Sequence, residues 1–293
     1  MKLPRYSTKQ PGMASPRRAF LRGSALASLA GPALLAAQSE TAAKPAIRKT
    51  FLAVEGHMDD AEIGVGGILI QAARAGHRVV IVTVASDYTT WGATVGREEQ
   101  TKRNLIALAN EFGFEKRFLE GPYHQTSAAD IALKKKLAEI HVEVKPDAAF
   151  ICHHEDHWPD HAQSGLAAHD ALLFSHGLSR SQAVQRCPLI YAYDVTSQQT
   201  YHFEEDVYYD VTDVMPAYMD LIARVEAIRS GLPMSQVLRH EVRPVDGKGP
   251  TLRLSAHGLW RFADCVRFGG RTGCSYAIGL RTVWGRRRGE KLV

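Results

Sequence analysis

Two short stretches of the 293-residue chain concentrate histidine and acid: His57-Met58-Asp59-Asp60-Ala61-Glu62 and His153-His154-Glu155-Asp156-His157-Trp158-Pro159-Asp160-His161. Imidazoles and carboxylates form the ligand set of a hydrolytic zinc centre, in which three protein groups hold the ion and a fourth position stays open for water. His57 and Asp60 are three residues apart, so both can face one ion. Asp59, between them, can then face the water and take its proton, which the metal has made more acidic. The competing use of either aspartate is to cap a helix, since Asp is favoured at helix starts. In the second stretch His153, His157 and His161 are spaced by four, as in a helical chelate. Pro159 argues against one helix through all three, because it disfavours helical geometry at Trp158 and suits a helix's first position. A helix is therefore expected to begin at Pro159. That puts His161 in its first turn as the third ligand, with Asp160 capping the helix or orienting a histidine.

Both stretches must be carried to one place. The run 51–54 reads as a buried strand, 63–75 as a helix, and the β-branched run 79–84 as a second buried strand. A helix over 97–112, a short strand over 117–119, a helix over 131–144 and a strand over 148–152 follow. A helix continuing from His161 to about residue 174 and a strand over 189–193 complete the pattern. Such alternation predicts an α/β fold with a doubly wound, mostly parallel sheet. Ligands of such sheets bind outside the carboxyl ends of the strands, and each acid-histidine stretch follows a strand. Gly64, Gly66 and Gly67 do not make a dinucleotide loop, because Leu69 stands where its last glycine belongs; they read as tight packing at a helix start. Tyr88, Trp91 and Arg97 follow the second strand, where a sugar can stack or where they simply form a surface loop. Beyond about residue 239 glycine and arginine are frequent and periodicity is weak.

The chain carries 36 basic and 31 acidic residues, a net charge of +5. Lys2, Arg5, Lys9, Arg17, Arg18 and Arg22 against Glu40 account for all of that excess, so it marks the N-terminus and not a nucleic-acid-binding face. Arg286-Arg287-Arg288 reads as a solvated tail. Ser15-Pro16-Arg17-Arg18-Ala19-Phe20-Leu21-Arg22 resembles a twin-arginine export signal, followed by an Ala-rich apolar stretch that Gly31-Pro32 interrupts. Residues 1–43 are thus expected to be a signal peptide and linker read by the twin-arginine export machinery, and 44–293 a single domain delivered to the periplasm or outside the cell. The apolar stretch is short for a membrane span and no cysteine follows it, so no stable membrane anchor is expected. Export would permit disulfides. Of Cys152, Cys187, Cys265 and Cys274, the last two are the nearest pair in sequence, and Cys152 is expected as a buried thiol.

His57-x-Asp59-Asp60-x-Glu62-Ile63-Gly64-x-Gly66-Gly67 resembles the opening motif of the LmbE-like (PIG-L) N-acetylglucosaminyl deacetylases, and Pro159-Asp160-His161 resembles their His-Pro-Asp-His. Gly270-x-x-Gly273-x-x-Tyr276-Ala277 is a looser match to a third segment. The resemblance implies a Rossmann-like fold with helices on both faces, one zinc ion, and hydrolysis of an N-acyl group on a small amino-sugar-type substrate. It implies His57, Asp60 and His161 as ligands and Asp59 as general base. The family's oxyanion-stabilising histidine falls at Trp158, so His157 or His154 would have to replace it. The expected catalytic set is Asp59, His157 and Asp160. Met58 stands for the usual proline, Ala61 for an acid and Ile278 for a glutamate. Two rivals are a hydrolase of another amide, such as a peptide or lipid-linked conjugate, and a non-catalytic metal- or sugar-binding protein.

Overall fold

The computed structural model describes residues 48–179, 186–196, 200–243 and 251–285. The expected export leader and the arginine run at 286–288 lie outside these residues. In chain order the elements are β1 (Thr50–Glu55), α1 (Asp60–Arg74), β2 (Arg78–Asp87), α2 (Glu98–Glu111), β3 (Phe114–Pro122), α3 (Ile131–Val144), β4 (Ala148–Cys152), α4 (Pro159–Leu178) and β5 (Ile190–Tyr193). Then come β6 (Val207–Asp210), a 3-10 turn at Thr212–Val214, α5 (Met215–Ser230), α6 (Met234–Val237), the hairpin strands β7 (His240–Val242) and β8 (Leu252–Leu254), α7 (Ala256–Thr272) and β9 (Ala277–Trp284).

The main sheet has seven strands in the order β3-β2-β1-β4-β5-β9-β6. Its first five strands pair in parallel, while β9 runs antiparallel to both β5 and β6. The expected doubly wound, mostly parallel sheet is what forms. The chain winds outward from β1 through β2 to β3, then returns to place β4 on the other side of β1. The strand order therefore reverses between β1 and β4, the place where open sheets of this kind bind ligands.

Strand residues alternate between the two faces, and the core divides accordingly. Phe51, Ala53, Val79, Ile81 and Phe150 pack with residues of α1 and α5. Leu52, Val54, Val80, Val82, Ala149 and Ile151 pack with residues of α3 and α4 on the other face. α1 lies close against its surroundings: a methyl group on Gly64 would stand 2.3 Å from the Tyr193 ring, so the glycine serves packing, as expected. Behind the start of α1, Lys116 Nζ lies 2.6 Å from Glu55 Oε1 and 2.7 Å from Glu62 Oε1, all three side chains buried. Burial opposes the ammonium charge, but the two carboxylates outweigh it and hold the Lys116 pKa above its ordinary value. Glu55 in turn accepts from the Ala61 N–H at 2.9 Å, which ties the first turn of α1 to the sheet.

The largest differences from the sequence reading lie near the C-terminus. The weakly periodic region past residue 239 holds α7 and β9, and β9 sits inside the main sheet. The buried side of α7 includes Gly258, Arg261, Asp264, Cys265, Phe268 and Gly269. Its spacing is helical, but four of these six residues are charged or glycine, so it does not read as apolar. Arg261 is fully buried and donates to the Asp194 and Val195 carbonyls at 2.5 Å each, and to Asp194 Oδ1 at 3.3 Å. Elsewhere the elements outrun the expected ones: α1 begins at Asp60 and β3 extends over Phe114–Pro122. All four cysteines are free, so the Cys265–Cys274 pairing does not occur; Cys265 is buried on α7 and Cys274 lies just past its end. Among the described residues no helix is long and apolar enough to cross a membrane.

Candidate metal centre and its pocket

The turns that follow β1 and β4, neighbours at the reversal point, bring the two acid-histidine stretches into contact. One ligand atom from each of His57, Asp60 and His161 lies within 4.8 Å of the others, and all three residues are buried. His57 Nδ1 is 3.0 Å from His161 Nε2, which is 3.1 Å from Asp60 Oδ1. The other nitrogen of each imidazole meets a carboxylate. His57 Nε2 lies 3.0 Å from Asp160 Oδ2 and His161 Nδ1 lies 3.1 Å from Asp156 Oδ1. A carboxylate only accepts, so Nε2 of His57 carries that ring's proton, while His161 Nδ1 stands against Asp156 Oδ1 without forming a hydrogen bond; the inward nitrogens of both rings are the ones that face Asp60 and each other.

The electrostatics suit a cation. Burial opposes protonation of His161, yet Asp60 and Asp156 outweigh it and lift its pKa to about 10. Burial likewise works to raise Asp60, but the two histidines and the His57 N–H hold it at about 2. A place that holds a proton this firmly has strongly negative potential. Two neutral-capable imidazoles and one carboxylate are also a three-ligand set that zinc accepts with a position left open. The residues present therefore fit a divalent metal.

Asp59 lines the same pocket and is free of the capping role. It occupies the N-cap position of α1, yet its side chain makes no capping bond. Its Oδ2 instead lies 2.7 Å from an Arg229 nitrogen. Asp160 is placed differently from a catalytic group. It is buried below the pocket and accepts from the His124 N–H at 2.7 Å, the Thr126 N–H at 3.0 Å and His57 Nε2. Burial would raise its pKa, but these bonds hold it at about 2. Its contact with His57 is the one that the orienting role expected of it requires.

His157 is not brought to the site. It is exposed, and its Nδ1 lies 3.4 Å from the Tyr201 hydroxyl. α4 begins at Pro159 with Trp158 extended before it, so His157 lies outside the helix that carries His161. His154 is also exposed, beside Glu155, and His153 is buried against the Tyr201 carbonyl with its pKa lowered by burial to about 4. Neither replaces the missing donor. Trp158 itself lines the pocket, edge-on to His57 at 6.0 Å and stacked on His124 at 5.3 Å.

Aromatic side chains form the wall around the metal ligands: Tyr88, Trp91, Tyr123 and Trp158. Tyr88 is buried and its hydroxyl accepts from the Met58 N–H at 2.9 Å, holding the ligand turn. Trp91 packs under the Arg229 guanidinium at 5.6 Å. Arg97 stays out of the pocket and donates to the carbonyls of Ala93 and Arg229. Sequence reasoning missed Arg229 and His257, which complete the pocket from α5 and α7. A faint signal existed in Glu226-x-x-Arg229 on one helix face and in Ser255, whose hydroxyl caps α7 at Gly258.

Comparison with known proteins places this geometry. Residues 52–172 match the PIG-L family model, described as GlcNAc-PI de-N-acetylase. No curated protein sequence matches the chain. Among solved structures, the N,N'-diacetylchitobiose deacetylase from Pyrococcus horikoshii is similar at TM-score 0.60 and 18% identity, over 80% of this chain and 84% of that one. The 4-carboxy-2-hydroxymuconate hydratase GalB from Pseudomonas putida KT2440 is similar at TM-score 0.61 and 19% identity, over 84% and 100%. A zinc-inhibited form of the teicoplanin deacetylase Orf2 is similar at TM-score 0.50 and 16% identity, over 80% and 97%. These likenesses show that the chain shares its fold with deacetylases and with a hydratase, and the matched family segment spans β1 through most of α4, the part that carries His57, Asp59, Asp60 and His161.

Proposed function

We propose that the chain is a PIG-L-type, zinc-dependent amide hydrolase that removes an N-acyl group, acetyl in the simplest case, from an amino-sugar-type substrate. The observation that carries this reading is the convergence of His57 Nδ1, Asp60 Oδ1 and His161 Nε2, with a second carboxylate, Asp59, beside them in an aromatic-walled pocket. A divalent metal held there supplies Lewis acidity to the acyl carbonyl and makes water a better nucleophile at neutral pH. Asp59 accepts the proton of the attacking water, and Arg229 fixes the direction of its carboxylate through the other oxygen. Asp160 holds His57 in the tautomer and orientation that metal binding needs, and Asp156 stands beside the outer nitrogen of His161. The aromatic wall excludes water and offers flat faces to a sugar ring.

The fold alone does not choose the reaction, since one similar structure is a hydratase. The decisive experiment measures metal content of the purified protein together with amine release from N-acetylglucosamine and N,N'-diacetylchitobiose, with and without added zinc. One zinc per chain and zinc-dependent amine release are expected. Zinc without release from any N-acyl probe would favour another substrate or a binding role, and no metal uptake would remove the reading. The Asp59→Asn variant should keep its metal and lose about 10³-fold in turnover, within the usual span for a general base. We further propose that residues 1–43 direct twin-arginine export to the periplasm, which replacing Arg17 and Arg18 by lysine should block in a cell-fractionation assay.

A further inference from the structure

The position that the resemblance assigns to an oxyanion-stabilising histidine holds Trp158, whose indole N–H only donates, and the donor of a proton to the leaving nitrogen is a separate role that no residue has yet filled. His157, His154 and His153 all lie elsewhere. Among the described residues, one histidine besides the two ligands lines the pocket: His257, in the first turn of α7. Its Nδ1 lies 3.0 Å from Glu226 Oε2. Glu226 is partly buried, and His257 outweighs that burial and keeps the carboxyl below its ordinary pKa. An ionised carboxylate there accepts from the ring and fixes the tautomer with the proton on Nδ1. Nε2 has no hydrogen-bond partner among the described residues, so it is the atom left to act. The same helix, α5, supplies Glu226 to His257 and, one turn on, Arg229 to Asp59. One helix thereby contacts both Asp59 and His257.

We propose that His257 is the proton donor to the leaving nitrogen, and that Glu226 is its positioning residue; this rests on the amide-hydrolase reading above. After water adds to the acyl carbon, the carbon–nitrogen bond breaks with its electron pair remaining on nitrogen. Protonated His257 gives its Nε2 proton to that nitrogen, so the amine leaves neutral and the carbonyl re-forms as a carboxylic acid, which ionises. The proton that Asp59 took from water is released to solvent, and His257 recovers one from solvent, so protons balance over a turnover. The alternative is that the His257–Glu226 pair only ties α7 to α5.

The test uses two zinc-loaded assays on one protein: amine release from N,N'-diacetylchitobiose and hydrolysis of p-nitrophenyl acetate, whose leaving group needs no proton. His257→Gln should lower kcat for the amide about 10²-fold with little change in KM, at unchanged zinc content, and leave the ester rate within a few-fold. Glu226→Gln should lose less, and the double variant no more than His257→Gln alone, because the two act as one unit. Equal losses on amide and ester, or additive losses in the double variant, would reduce the pair to a structural tie. No amide loss in a well-folded His257→Gln protein would overturn the assignment outright. A wild-type protein with zinc that releases no amine from any N-acyl probe would remove the amino-sugar deacylase reading and this assignment with it. That outcome is separate from one in which the wild type is active and the variant unaffected.

Discussion

The two ends of the described chain build opposite walls of one pocket by different means. From β1 to α4, each chemical residue sits at a turn between a buried strand and a helix, and short sequence motifs fix its place. From α5 to β9, Arg229 projects from a helix with an apolar buried face and His257 from one whose buried face holds Arg261 and Asp264. The first region places groups by local chain geometry, so ligand positions follow from a few adjacent residues. The second places them by packing between distant elements, so their positions depend on what α5 and α7 press against. The metal ligands therefore belong to the first region and the partners of the proton-handling groups to the second.

The sharpest way to break this division is to remove a ligand. His161→Ala takes one of three metal donors and exposes Asp60 and Asp156, which face that imidazole at 3.1 Å each. The variant should bind no stoichiometric zinc in a metal analysis and lose at least about 10³-fold in amide turnover, several kcal/mol of lost Lewis-acid assistance. The C-terminal wall should stand unchanged, with His257 still on Glu226. Unchanged metal content would take His161 out of the ligand set.

A second comparison sets the two buried ion networks against each other. Lys116 holds Glu55 and Glu62 behind α1, and Arg261 holds Asp194 under α7. Removing one member of a buried pair leaves an uncompensated charge and costs about 3–5 kcal/mol. Lys116→Met and Arg261→Met should therefore both lower the unfolding midpoint in urea, the first more, because it strands two carboxylates. Their functional effects should differ. Lys116→Met loosens the first turn of α1, where Asp60 sits, and should weaken zinc binding. Arg261 is one helical turn from His257, so Arg261→Met should spare zinc affinity and lower kcat. If both variants lost zinc equally, the two regions would be one cooperative support and the division would fail.

How far the sequence revealed this arrangement follows the same line. Strands such as 148–152 are continuous apolar runs, and helix starts are marked by Pro159, so the sheet and the turns that carry His57, Asp60 and His161 could be read directly. The reading failed at His157 because spacing along the chain does not say which way a loop turns before its helix. It failed on α7 because Arg261 and Asp264 occupy its buried stripe, and Asp194, the partner of Arg261, is far away in sequence. Arg229 gave no local sign, since its meaning depends on Asp59 across the pocket. Contacts between distant segments carry the illegible part of the site, and the hydropathy of either segment alone does not encode them.

The smallest expected effect tests a link between the legible turn and a third loop. Asp160 joins them: its carboxylate accepts from the His124 and Thr126 N–H groups after β3 and from His57 Nε2. Asp160→Asn keeps the shape but changes the donors. One amide oxygen still accepts, while the NH2 group must face a donor that the carboxylate had satisfied. If the side chain turns its oxygen to the Thr126 N–H, the NH2 takes the place of Oδ2, faces the His124 N–H and His57 Nε2, and favours the His57 tautomer with the proton on Nδ1, the nitrogen that faces the metal position. Zinc affinity or turnover should then fall about 10- to 100-fold, the usual consequence of disturbing a carboxylate that orients a histidine ligand. Isothermal titration with zinc separates the two readouts. Asp160→Ala should be worse, because the two backbone N–H groups also lose their acceptor. Wild-type zinc affinity and turnover in Asp160→Asn would show that the strand-end turn holds His57 unaided, and the N-terminal wall would then be more self-sufficient than the hydrogen bonds indicate.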